Sequence, residues 1–121
     1  MRLIRSPKKQ KKFRVILDDG RTVDFGQKGF SDYTIHKDAE RMRRYVDRHG
    51  ATIPQSTSRR TDPKKIQNAM LRVNRSSKED WKDPSTAGFW SRWLLWSFPT
   101  RAEAVRFINK KFGFKLVNGT A

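Results

Sequence analysis

The sequence predicts an α+β fold: an N-terminal β-hairpin packed on a small bundle of about three to four helices, with basic extensions. Three observations predict it. Apolar and polar residues alternate on both sides of an Asp-Gly turn near the N-terminus. Three later segments carry apolar residues at helical spacing, and before the last of them lies an almost continuous apolar string holding three tryptophans.

The hairpin spans residues 13–25. Phe13, Val15 and Leu17 alternate with Arg14 and Ile16, Asp18-Asp19-Gly20 turns the chain, and Thr22 to Phe25 returns. Asp-Gly between two β-rich runs is a strong short-range hairpin signal. Two strands alone are marginal in water, so the hairpin must pack on the helices.

Gly26 to Ser31 reads as a link, after which Asp32 or Thr34 caps a helix over about 35–48 that Gly50 stops. Its apolar stripe is Ile35, Ala39, Met42, Tyr45 and Val46. Residues 51–62 read as a loop. Asp62-Pro63 opens a short helix to about Val73, with Ile66, Ala69, Met70 and Val73 on one side. Ser85 or Thr86 starts the apolar element Ala87–Trp96. Thr100-Arg-Ala-Glu103 is a capping box for a final helix ending at Gly113, whose stripe is Ala104, Phe107, Ile108 and Phe112. Residues 114–117 either add a short strand or lie on the body.

The 121 residues carry 28 Lys/Arg against 12 Asp/Glu, a formal charge of +16. Residues 1–14 hold seven of those cations and no acid; residues 59–78 hold seven more against one acid, Asp62. The charge thus concentrates in two blocks on a nearly neutral remainder. A self-repelling block opposes the compact state and calls for an anionic partner. The organisation expected is a basic N-terminal arm over 1–12, one compact domain over 13–117 with a basic insertion at about 51–78, and a tail over 118–121. The residues assigned to polyanion contact are Arg2, Arg5, Lys8, Lys9, Lys11, Lys12, Arg59, Arg60, Lys64, Lys65, Arg72 and Arg75.

Only 35% of the chain is hydrophobic, so the core must be small. Four Trp, eight Phe and two Tyr compensate, each large ring burying on the order of 150–250 Å². In Gly88-Phe-Trp-Ser-Arg-Trp-Leu-Leu-Trp96 only Ser91 and Arg92 relieve the apolar character, so the helix reads as the buried central element. The competing reading is a stacking platform for bases; core is preferred because a body poor in aliphatics needs these rings to fold. The structural core expected is Tyr33, Tyr45, Trp81, Trp90, Trp93 and Trp96, with Arg92 stacked on rings or ion-paired.

No chemistry-bearing constellation stands out. His36 and His49 lie at opposite ends of one predicted helix, too far apart to share a metal, so no metal site and no cofactor are expected. Asp38, Glu40 and Asp47 invite a metal-dependent nuclease reading. They alternate with Lys37, Arg41, Arg43, Arg44 and Arg48, however, the pattern of an ion-paired helix face. The chain holds no cysteine, hence no disulfide and no thiolate ligand. No apolar stretch approaches the roughly 20 residues of a membrane span.

The string Phe30-Ser-Asp-Tyr-Thr-Ile-His-Lys-Asp38, then Arg41, Tyr45, Arg48-His49, Glu79-Asp-Trp81 and Thr86 to Trp96 with Pro99-Thr100, resembles a family. It is similar to small, basic, Trp-rich, uncharacterised proteins of nucleocytoplasmic large DNA viruses, the giant viruses. The likeness covers most of residues 13–112 and departs at residues 51–78, where those proteins have a shorter connection. It implies a viral origin more firmly than a mechanism.

The function expected is a non-enzymatic virion structural protein, a minor capsid component in or just beneath the shell. Its partners would be other virion proteins, reached by basic arms, and viral DNA through its phosphates, with no small-molecule substrate. The alternatives are a sequence-nonspecific DNA-binding or DNA-compacting viral protein and, third, a small nuclease or nuclease accessory factor.

Overall fold

The computed structural model describes residues 1–54 and 61–120. The fold is α+β, a four-stranded mixed sheet with helices packed against it. The expected hairpin is β2 (Lys11–Ile16) and β3 (Thr22–Gln27), antiparallel, with Phe13 opposite Phe25 and Val15 opposite Val23. Gly20, at φ +88°, takes the left-handed position of the turn, where a side chain would be strained.

The N-terminal segment is not an arm. Arg2–Arg5 forms β1, antiparallel to β2, with Leu3 opposite Val15 and fully buried. Four residues with one inward side chain are too short to show a period, and the surrounding cations mask the strand. Nor is 118 the start of a tail. Val117–Asn118 is β4, parallel to β1, and the Gly119 amide donates to the Leu3 carbonyl at 2.8 Å. The strand order is therefore β3-β2-β1-β4. Leu3, Phe13, Val15, Val23 and Phe25 form its buried face.

The helix expected over 35–48 is two. α1 (Tyr33–His36) is capped by Asp32 and ends at Lys37, which adopts φ +58°. α2 (Ala39–Arg48) restarts under a second cap, the Asp38 carboxylate accepting from the Glu40 and Arg41 amides. The break swings Ile35 out of the expected stripe, leaving it 60% exposed.

The second basic block is no appendage either. Its α3 (Pro63–Met70) buries Ile66, Gln67 and Met70 against α2, and the Tyr33 hydroxyl donates to Gln67 Oε1 at 2.7 Å. α4 (Ala87–Trp90) continues into a π-helical turn, Ser91–Leu95, and Phe89, Trp90, Arg92, Trp93, Leu94 and Leu95 are all essentially inaccessible. α5 (Arg101–Phe112) closes the core, with Thr100 Oγ1 accepting from the Glu103 amide and donating to its carboxylate. No helix among the described residues is long and apolar enough to cross a membrane.

Candidate functional site: a basic cleft with an aromatic stack

Five of the six residues assigned to the core, Tyr33, Tyr45, Trp81, Trp90 and Trp93, are buried; Trp96 is half-buried and lines a cleft. The polyanion candidates do not gather. Arg2 and Arg5 are exposed on β1, Lys8 and Lys9 on the following turn, Lys64 and Lys65 on the first turn of α3, and Arg72 and Arg75 beyond it. Only Lys11 and Lys12 line the cleft that holds Trp96. Arg59 and Arg60 lie outside the described residues.

That cleft, about 480 Å³, is the place where separate parts of the chain converge. β2 contributes Lys11 and Lys12; the turn after β3 contributes Phe30 and Asp32; α4 and its π turn contribute Gly88, Ser91, Leu95 and, just beyond, Trp96. α2 contributes Arg41, Tyr45, Arg48 and His49, whose spacing puts them on one helix face.

A column of three rings forms its wall. The His49 imidazole stacks on Tyr45 with centroids 3.9 Å apart, and Tyr45 stacks on Trp96 at 4.2 Å with planes 4° from parallel. Burial raises the Tyr45 hydroxyl above its ordinary value, so it stays neutral. Glu79 fixes the end of the column. Its Oε1 lies 3.3 Å from His49 Nδ1 and accepts the Trp81 indole N–H at 3.0 Å. Gly88 leaves room for it: a Cβ there would stand 2.8 Å from Glu79 Oε2.

The electrostatics are one-sided. Of the two carboxylates in the cleft, Glu79 is held as described. Asp32 is buried, 2.7 Å from Lys12 Nζ, and also accepts from the Thr34 amide. Lys11, Arg41 and Arg48 enter no ion pair among the described residues, where the pairs go elsewhere. Three unneutralised cations therefore face one concavity beside aromatic surface.

Behind the wall, Arg92 is fully buried. Its guanidinium lies over Trp93 at 4.5 Å and Trp81 at 5.2 Å, and donates to the carbonyls of Trp96, Met70 and Val73. It is stacked, as the sequence suggested, but not ion-paired among the described residues, and burial pushes its pKa down to about 10.

Residues 1–49 are similar to a family of unknown function (DUF5754). No curated protein and no solved structure matches the chain. The matched span runs from β1 through α2 and supplies Lys11, Lys12, Phe30, Asp32, Arg41, Tyr45, Arg48 and His49 to the cleft. Glu79, Gly88 and Trp96 come from beyond it.

Among the described residues the two histidines share no partner. His36 Nδ1 accepts the Asp38 amide at 2.9 Å, whereas His49 faces Glu79. Among the described residues no group of three His, Cys, Asp or Glu is placed to hold a metal ion. Sequence reasoning assigned Arg41 and Arg48 to a solvated helix face and Phe30 to a link. The signal that could have found the cleft was the α2 spacing of Arg41, Tyr45 and Arg48-His49.

Proposed function

We propose that this is a non-enzymatic nucleic-acid-binding protein that grips backbone phosphates in its basic cleft. The single observation carrying the reading is that Lys11, Arg41 and Arg48 face one concavity with no ion pair among the described residues, while both neighbouring carboxylates are engaged. Cations left facing solvent in a concave, partly apolar site focus positive potential and attract anions. Phosphate contacts position a ligand without reading it, so binding is indifferent to sequence and sensitive to salt.

The test is a salt titration of a labelled DNA strand of about 20 nucleotides, where log K falls by about 0.7 per phosphate neutralised for each unit of log salt. Neutralising Lys11, Arg41 and Arg48 together to Gln is expected to lower the slope by about 2, on the same scale. Exchanging the strand for one of unrelated sequence should leave affinity unchanged. An unchanged slope and affinity in the triple variant would overturn the reading.

A second reading places this protein in a virion as a minor capsid component. Two things support it: the resemblance to giant-virus proteins, and the spread of exposed cations over several sides of the body (Arg2 and Arg5 on β1, Lys64 and Lys65 on α3, Arg72 and Arg75 beyond). A body so charged can bridge several anionic neighbours, although not by free arms. Purified particles distinguish the two: a shell component stays after nuclease treatment and a high-salt wash, whereas a genome-bound one leaves with the DNA.

A further inference from the structure

We propose that the cleft takes an unpaired nucleotide, with a base stacking on Phe30 while the adjoining phosphates sit on Lys11, Arg41 and Arg48, so that the protein prefers single strands to duplex. This rests on the phosphate-gripping reading and adds a role for the base.

Phe30 carries the step. It is 63% exposed, among the most exposed large apolar side chains described, and it has no ring partner among the described residues. It sits on a held turn, its amide donating to the Gln27 carbonyl at 3.2 Å, and lines the same concavity as the three cations that have no ion pair among the described residues. Left in water, such a ring loses the burial that other aromatics of this chain obtain. Exposed aromatics beside cations are how single strands are held without sequence preference, because every base offers a π-face. A duplex keeps its bases stacked inside and offers Phe30 only backbone. The ring column completes the wall: Tyr45 is covered on both faces by His49 and Trp96, so Phe30, not Tyr45, is the ring open to a base.

The experiment compares three labelled probes at about 0.15 M salt, where exposed charges are screened beyond roughly 8 Å. They are a thymidine oligomer, an abasic oligomer of equal length and charge, and a duplex. The wild-type protein is expected to bind the thymidine oligomer at least about fivefold more tightly than the abasic one, the lower end of what a stacked base contributes. Phe30→Ala should remove that preference and leave abasic and duplex binding unchanged, while Phe30→Tyr should restore it. Phe30 is exposed, so Phe30→Ala should melt as the wild type does. Equal affinity of the wild type for thymidine and abasic oligomers, or a thymidine preference that survives Phe30→Ala, overturns the stacking step and leaves phosphate gripping standing. Binding that does not respond to neutralising Lys11, Arg41 and Arg48 overturns both.

Discussion

Arg92 is a cation solvated by the protein itself. Three backbone carbonyls and two indole faces replace water, and the burial that lowers its pKa to about 10 still leaves it charged near neutrality. It joins the end of α3 and the segment after it to the tryptophan helix. His36 presents the opposite case. Its Nδ1 must stay unprotonated to accept the Asp38 amide, and its Nε2 is buried without a partner among the described residues. Burial first, then the charge of Arg41, holds its pKa below the usual 6.5 against the opposing pull of Asp38 and Asp32. Well above pH 6.5 both folded and unfolded states are neutral, so the native contact contributes in full. As pH falls, the unfolded chain takes the proton first, and the contribution is lost down through the lowered native value. The advantage in melting temperature of wild type over His36→Phe should therefore shrink between about pH 7.5 and 5.5. A difference independent of pH would show that His36 is not the group responding.

At the scale of elements, α4 and the segment before it meet through Gly88 and Glu79. Replacing a helical Gly by Ala ordinarily stabilises by roughly 0.5–1 kcal/mol, because Ala loses less backbone entropy on folding. Here the sign should reverse. A Cβ on residue 88 would press within 2.8 Å of Glu79 Oε2, and moving that carboxylate strains the contacts its Oε1 makes with the Trp81 indole and the His49 ring. Gly88→Ala is expected to destabilise by about 1–3 kcal/mol, the range for stranding a buried donor, read by urea denaturation. A stabilised variant would mean that Glu79 is free to swing away and does not fix the ring column. The α1–α2 break has a comparable local origin. Two aspartates, Asp32 and Asp38, each cap a helix start, and the second cap requires the chain to leave helical conformation at Lys37.

For the whole molecule, the sheet ties both ends of the described chain together: β1 lies between β2 and β4, and Leu3 fills the core between them. Removing residues 1–5 should therefore unfold or severely destabilise the protein, although it deletes two cations and lowers the self-repulsion. Leu3→Ala alone is expected to cost about 2–5 kcal/mol, as buried leucine truncations do. Changing Arg2 and Arg5 to Gln should leave the fold intact. Circular dichroism melts of the three variants decide between a structural strand and an appended arm. A truncated chain that melts like the full one would restore the arm.

Much of the architecture was legible along the chain, because its determinants are local. The Asp-Gly turn between alternating runs specified the β2–β3 hairpin, the Asp62-Pro63 and Thr100 caps specified where α3 and α5 begin, and the ring-dense string specified a buried centre. Asp32 was legible as a cap, but Asp38 was read as part of an ion-paired helix face; its use as a second cap turns one expected helix into two and exposes Ile35. Segments whose structure depends on distant partners were not legible. Arg2–Arg5 is a strand because β2 and β4 lie beside it, and nothing in four residues states that. The cleft is of the same kind. Its cations, rings and carboxylates come from β2, α2, the turn at Phe30, Glu79 and the tryptophan helix, more than 80 residues apart at the extremes. Each looked like ordinary surface or ordinary core in its own neighbourhood. Local spacing carries information about which face a helix buries; which two faces enclose a site is set by non-local packing, and it is there that Lys11, Arg41 and Arg48 come to share one concavity with Phe30.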